Sequence, residues 1–588
     1  MENGKNWSPV GDQILTRWAK DVDPKLPLPD YPRPQFERNE WFNLNGLWDY
    51  AICPSNIKDV KDFDGKILVP FPIESALSGV GKKLHSNEKL WYHRKFQIHK
   101  NWKGNKIILH FGAVDWETTI WINKNKIGAH KGGYTPFEFD ISDSLHDGEN
   151  EITISVWDPT DKGKQERGKQ SLNPKNIFYT AVSGIWQTVW LEPVPKTNLE
   201  KIYVKTDIDN GIVSIQSVVK DPGSNDYFEV EISNDQNQDS IYKGNLNQEL
   251  NIKIRSPKLW SPDNPFLYLT KLRIKRGNEI LDEVSSYFGM RKVSLSDEEN
   301  GIVHIKFNNE KLFQFGTLDQ GYWPDGLYTA PTDEALKYDI HITKELGFNM
   351  IRKHVKVEPA RWYYHCDKLG ILVWQDMPNG GVIDTFLEPI NVNEYKTKRN
   401  LEDKQNYYDE LSSMIKNLYN FPSIIVWVPF NEGWGQFETT EVTKRIKQQD
   451  PLRLVDSASG WYDFSYTLGD IYDMHRYPSP LLPDIKKANF RALVVGEFGG
   501  LGLEIKSHMW ITPEKFVYRD FTDSTHLTKR YERLIKKVNS LRQDGLSAAI
   551  YTQITDVEGE LNGLLTYDRD IIKIDPKKLR VLNLSTQK

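Results

Sequence analysis

Two acidic residues stand where apolar runs stop abruptly. In VWVPFNEGWGQ (426–436) the run ends at Asn431-Glu432-Gly433, and in ALVVGEFGG (492–500) it ends at Glu497. A lone carboxylate at a strand end is ordinarily a solvated group and carries no chemistry. A pair facing one pocket is different. Two carboxyl groups about 5 Å apart serve glycoside hydrolysis with retention, one as acid/base and the other as nucleophile. The acid must be protonated when it meets the leaving oxygen and the nucleophile ionised when it attacks.

The elements that must position this pair lie beyond residue 296, where strand-like runs alternate with segments of helical period, the signature of βα units around a parallel sheet. Eight candidate strands occur at 312–318, 348–354, 371–377, 423–431, 453–459, 470–476, 492–498 and 546–556. TDEALKYDIHITKELG, with Thr332 as N-cap and Gly347 as stop, is one intervening helix; the fifth and sixth helices are expected to be short, and Asp575-Pro576 opens a final one. Eight repeats predict a (β/α)8 TIM barrel, whose chemistry lies at the C-terminal ends of its strands. Glu432 follows the fourth strand and Glu497 ends the seventh, so both face the same mouth.

Other side chains share that rim. His354 and His475 close the second and sixth strands; a histidine there is usually structural, but two on one rim point to sugar hydroxyls. Metal ligation by them lacks an HExxH spacing or an acidic cluster. Arg352 has the fork geometry to hold Glu497 or Asn431, with a structural ion pair as the alternative. Asp376 ends the third strand within reach of substrate, whereas Trp374 inside that strand reads as core. Trp323, in the loop after the first strand, is expected to line the pocket; Trp434 reads equally as pocket wall or as packing beneath its loop.

Upstream, residues 1–195 read as short strands such as LWYHRKFQI, NKIILHFG and EITISVWD, an all-β sandwich in which Trp91 and Trp121 are expected in the core. Residues 196–295 repeat strands about every ten residues, which suits an immunoglobulin-like sandwich. RPQFERNEWFNLNGLWDYAI, GGYTPFEFDIS, SGIWQTVWLEP, LWSPDNPFLY, KELGFNMIRKH, CDKLGILVWQDM, PFNEGWGQ and VVGEFGG then occur in order. Through these segments nearly the whole chain resembles glycoside hydrolase family 2, the β-galactosidase, β-glucuronidase and β-mannosidase group.

The resemblance implies a multidomain enzyme: a jelly-roll-like sugar-binding sandwich (1–195), an immunoglobulin-like sandwich (196–295) and a catalytic TIM barrel (296–588). It implies Glu432 as acid/base, Glu497 as nucleophile, Asn431 on the sugar 2-hydroxyl and Tyr477 bonded to the nucleophile. No cofactor or metal is called for. The glucuronidases of the family carry an Asn-x-Lys motif before a Gly-x-x-Thr-x-Asp-Arg run. Here that run is GLLTYDR (563–569), preceded by Glu560-Leu561-Asn562, and a glutamate there repels a uronate. A neutral glycoside, β-galactoside first as the family's commonest activity, is therefore expected. β-Mannoside, β-xyloside, β-glucuronide, an endo-glycanase cleft and a non-catalytic carbohydrate-binding protein are the alternatives. Loops at 377–400 and 432–440 are expected to wall off a pocket.

Composition excludes other classes. Hydrophobic content of 38%, charged content of 27% and a net charge of -5, with both signs interspersed, ask for no nucleic-acid or membrane partner. The 19 Trp, 27 Tyr and 25 Phe favour sugar stacking. Cys53 and Cys366 stand far apart and predict free thiols. The expected partner is an oligosaccharide or polysaccharide-derived glycoside, with a homo-oligomer left open. No signal peptide is visible at the first residues, which predicts a soluble protein, cytoplasmic, or periplasmic or secreted if a leader has been removed.

Overall fold

The structure, a computed structural model, describes residues 7–233, 239–297, 301–380, 399–463 and 468–587. In the first sandwich a six-stranded antiparallel sheet faces a four-stranded one. Alternation in Glu149–Trp157 turns Ile152, Ile154 and Val156 inward onto Trp48, Tyr92, Leu109 and Leu191. Burial of each such aliphatic side chain contributes roughly 1.5–3 kcal/mol. Leu90 and Tyr92 belong to this core, so Trp91 between them faces outward. Trp91 and Trp121 stack on the outer face at 5.6 Å. Trp91 is buried as expected, at 3% exposure, though outside the central cluster; Trp121 is only half-buried, and there the expectation of a core residue is corrected by the phase of the alternation.

The second sandwich packs a three-stranded sheet (Asn198–Asp207, Ile212–Lys220, Glu249–Lys253) on a four-stranded one around Ile202, Val213, Ile215, Val230 and Leu272. Trp260, fully buried, donates from Nε1 to Asp367 O at 2.8 Å and ties this unit to the barrel. Short strands Val293–Leu295, Ile305–Phe307 and Glu310–Lys311 follow, and Val293, Ile305 and Phe307 pack with the barrel residues Met350, Trp374 and Ile425.

The barrel strands are β1 (Gln314–Asp319), β2 (Met350–Lys353), β3 (Leu372–Asp376), β4 (Ile424–Val428), β5 (Leu454–Val455), β6 (Ile471–His475), β7 (Ala492–Gly499) and β8 (Leu546–Thr552). Parallel pairing runs β5-β4-β3-β2-β1-β8-β7-β6, leaving one gap in a nearly closed ring. Such strands are covered on both faces, which is why they read as continuous apolar runs. The helices are α1 (Asp333–Glu345), α2 (Ala360–Leu369), α3 (Leu401–Leu418), α4 (Thr439–Gln449), α5 (Ile485–Ala488), α6 (Ser524–Gln543) and α7 (Pro576–Leu584). Thr332 caps α1 by accepting from Ala335 N at 3.1 Å, and Asp575 caps α7, which has Pro576 in its first turn. Among the described residues no helix separates β5 from β6, and α5 is a single turn. Glycine and proline in SASGW and YPSPLLP leave no helical period there.

Candidate active site

β4 ends at Val428, and the chain then turns sharply. Glu432 occupies the left-handed region (φ 51°), followed by Gly433 at 79° and Gly435 at 58°. A non-glycine residue there costs about 1–3 kcal/mol and persists only where its surroundings hold it. Ser459 O holds it by accepting from Glu432 N at 2.9 Å. This answers why an apolar run stops at Asn-Glu-Gly: the turn aims the carboxylate into the barrel mouth. On the other side β6 and β7 pair in parallel with His475 opposite Glu497. Single atoms of Glu432, His475 and Glu497 all lie within 4.8 Å of one another.

A charge network fixes both carboxylates. Tyr477 donates its hydroxyl to Glu497 Oε2 at 2.6 Å and lies 2.7 Å from Thr552 Oγ1. Arg352 reaches Glu497 Oε1 at 3.4 Å, clasps Asp376 through two bonds of 3.0 Å, and donates to Asn431 Oδ1 at 2.8 Å. Asn431 Nδ2 is buried with no acceptor among the described residues, a donor available to a ligand. His475 Nδ1 lies 2.8 Å from Glu432 Oε1, and its Nε2 lies 2.8 Å from Ser459 Oγ, which donates to Asp473 Oδ2 at 2.5 Å. His354 Nδ1 meets Asp376 Oδ2 at 2.9 Å.

These contacts set the protonation states. Burial opposes charge on His475, but Glu497, Asp473 and Glu432 outweigh it and raise the imidazole to about 10, so it is a cation at neutral pH. Burial likewise opposes charge on Glu497, yet His475, Arg352 and Lys169 hold its carboxyl below the ordinary value and keep it ionised. Burial and the adjacent carboxylate push the Tyr477 hydroxyl well above its usual range, so it stays a donor. Burial, with Lys169 nearby, drives His354 well below its usual range and leaves it neutral.

Arg352, His354, Asp376, Asn431, Glu432, His475, Tyr477 and Glu497 thus meet at one rim. Trp434, 6% exposed, joins them with its ring 6.3 Å from that of His354 and stacked on Phe178. Trp323 does not. It is 2% exposed, under the Arg569 guanidinium at 4.0 Å and edge-on to Trp18, because the loop after β1 folds inward instead of rising beside the pocket. Trp374 is fully buried inside the barrel and donates to Gln314 Oε1 at 2.6 Å. Of the loop expected at 377–400, residues 381–398 lie outside the described residues.

The sequence matches the sugar binding domain of glycosyl hydrolases family 2 over residues 49–195, a second model described as glycosyl hydrolases family 2 over 187–291, and the family's TIM barrel domain over 323–490. The chain belongs to glycoside hydrolase family 2. Its curated relatives include a β-galactosidase of Thermoanaerobacter pseudethanolicus, 26% identical over 500 residues, which are 79% of this chain and 62% of the relative. The chain thus spans about six-tenths of that relative's length. Among solved structures, a β-D-glucuronidase of Dictyoglomus thermophilum superposes with a TM-score of 0.74 at 19% identity, covering 95% of this chain and 98% of the other. A family 2 β-galacturonidase of Eisenbergiella tayi gives 0.71 at 18% identity, covering 94% and 99%. At such identities the likeness is one of fold.

Within this family 2 scaffold the rim holds residues that sequence reasoning missed. Ser459 and Asp473 orient His475, and Tyr518 stacks flat on Tyr477 at 3.6 Å. Lys169 and Tyr179 arrive from the first sandwich, where Tyr179 donates to Glu560; that carboxylate also accepts from Asn562 at 2.9 Å. The one available signal was the gap without β alternation between EITISVWD and TVWLEPV.

Proposed function

We propose that the protein is a retaining exo-β-glycosidase that removes terminal non-reducing β-linked sugars by double displacement. The observation that carries this reading is the meeting of Glu432 and Glu497, each with an oxygen within 4.8 Å of the other and each held by a different partner. Glu497, kept ionised by its cationic neighbours and aimed by the Tyr477 hydroxyl, attacks the anomeric carbon and forms a glycosyl-enzyme ester. Glu432, whose Oε1 lies 2.8 Å from His475 Nδ1, is the carboxyl that protonates the leaving oxygen in the first step. Esterification of Glu497 removes its charge, and Glu432 then acts as base toward water. The unpaired Asn431 Nδ2 is placed to bond the sugar 2-hydroxyl, a contact that strengthens in the oxocarbenium-like transition state.

The glycone we assign first is a β-galactosyl unit, in line with the sequence expectation and the name of the curated relative. A nitrophenyl panel of β-galactoside, β-glucuronide, β-galacturonide, β-mannoside and β-xyloside, run on the parent and on Glu497→Gln, tests the reading. Turnover of at least one glycoside by the parent and none by the variant is the expected result. Equal rates for the two proteins on every substrate would overturn it.

A further inference from the structure

Residues 158–180 leave the six-stranded sheet of the first sandwich and reach the barrel mouth. Backbone bonds from Arg167 and Gly168 to Asn379 O, and from Thr180 N to Glu558, hold them there together with two side-chain contacts. Glu166, fully buried, accepts from Arg399 at 2.6 and 3.2 Å, and Tyr179 donates to Glu560. Between the anchors Gly168 takes φ 62°, and a Cβ there would lie 2.6 Å from Val355 O, so the chain passes tightly along the loop after β2. Lys169 comes next. It is 5% exposed, with its ammonium 5.6 Å from the Trp434 ring centroid and 5.7 Å from that of Tyr179.

That ammonium has no hydrogen bond or ion pair among the described residues. A buried charge without a partner costs several kcal/mol, whereas cation–π contacts return about 0.5–2 kcal/mol. The acids nearby are committed elsewhere: Glu497 to Tyr477 and Arg352, Glu560 to Tyr179 and Asn562. Among the described residues Lys169 therefore has only the through-space attraction of Glu497 and no acceptor of its own, at the place where substrate enters. We propose that Lys169 is a specificity-determining residue that binds an anionic group of the substrate, a carboxylate or sulfate on the glycone or on the adjoining sugar. The inference rests on the glycosidase reading and deepens it. An anion on the glycone makes the substrate a uronide or sulfated glycoside; an anion next door leaves the glycone a galactosyl unit.

The test compares the parent, Lys169→Met and Lys169→Arg on nitrophenyl β-galactoside, β-glucuronide, β-galacturonide and 6-sulfo-β-galactoside, and on a β-galactosyl-uronate disaccharide. Loss of one charge-assisted bond predicts that Lys169→Met lowers kcat/KM for the anionic substrate by about 10- to 100-fold more than for the neutral galactoside. Lys169→Arg keeps the anion preference. The monosaccharide arms and the disaccharide arm separate the two locations of the charge. Equal losses on charged and neutral substrates, or no loss on any, overturn the inference. Calorimetric binding of glucuronate, galacturonate and galactose 6-sulfate to parent and Lys169→Met separates it from the function reading. If the parent hydrolyses nothing yet binds an anionic sugar in a Lys169-dependent way, the inference stands and the glycosidase reading falls; if no anionic sugar binds and none is hydrolysed, the inference falls.

Discussion

The charged groups at the strand ends and those on the sandwich segment above them are held by different means. At the rim Arg352, Asp376, Glu497 and His475 sit on neighbouring barrel strands, so the ladder of β2, β3, β6 and β7 fixes their positions and each has several partners. The segment 158–180 lies outside that ladder and is held at the mouth by an isolated bridge from Glu166 to Gly380, by backbone bonds to Asn379 and Glu558, by the pair Glu166–Arg399 and by Tyr179. The difference suits two tasks. Reacting groups need positions that do not vary, which a barrel supplies; a specificity group can differ without disturbing them, which a separately anchored loop permits.

If that division holds, the largest losses come from the rim. Arg352 is fully buried and serves Asp376, Asn431 and Glu497 together. Arg352→Met leaves buried carboxylates unpaired, a cost of about 3–5 kcal/mol in stability, and turnover should fall below detection. Retained turnover with an unchanged Tm would show that the network does not position Glu497. Tyr477→Phe keeps the ring stacked on Tyr518 and removes one donor to Glu497. The expected result is a fall in kcat of about 10- to 100-fold with Tm little changed, read by steady-state kinetics and thermal melts.

The sandwich anchor should respond otherwise. Arg399→Met leaves Glu166 buried and alone, at about 3–5 kcal/mol of local stability, and frees the segment that carries Lys169. KM for the anionic substrate should rise several-fold more than kcat falls. A loss of kcat as large as that of Tyr477→Phe would erase the distinction between the two regions.

How far each region was legible follows from the same physics. All eight barrel strands are readable because parallel strands buried on both faces write themselves as apolar runs, and the residues closing those runs must lie at the mouth. Trp323 was misplaced because its loop position is set by the Arg569 guanidinium packed on its ring, 246 positions away in the chain. Trp121 was misplaced because composition favours a tryptophan in the core, although Ile120 and Ile122 carry the inward phase of its strand. Lys169 left only the break in alternation between EITISVWD and TVWLEPV. Its burial exists only once the first sandwich docks on the barrel, and no local period records that.

Protonation sharpens the comparison at the rim itself. The folded value of His475 is raised from 6.5 to about 10, so its contribution to stability is fully present below pH 6.5 and is lost as pH rises through about 10. The parent should therefore lose Tm across that alkaline window, and His475→Gln should flatten the loss. Glu497 is depressed, so its contribution is present above the ordinary carboxylate range and is lost only as pH falls through its lower folded value. The acid limb of kcat/KM should accordingly lie below that of a free glutamate, and Lys169→Met should move it upward.

The smallest effect belongs to the outer face of the first sandwich. Trp121 stacks on Trp91 at 5.6 Å with planes 22° apart, on the side of the sheet away from the core cluster. Trp121→Ala removes that stacking and part of an apolar cover, about 0.5–1.5 kcal/mol beyond the area lost. Chemical denaturation should register a change of that order while kcat/KM on neutral and anionic substrates stays unchanged. If instead activity on a polymeric substrate fell while activity on nitrophenyl glycosides held, the outer tryptophans would be engaging sugar chains, and substrate recognition would extend past the segment that carries Lys169.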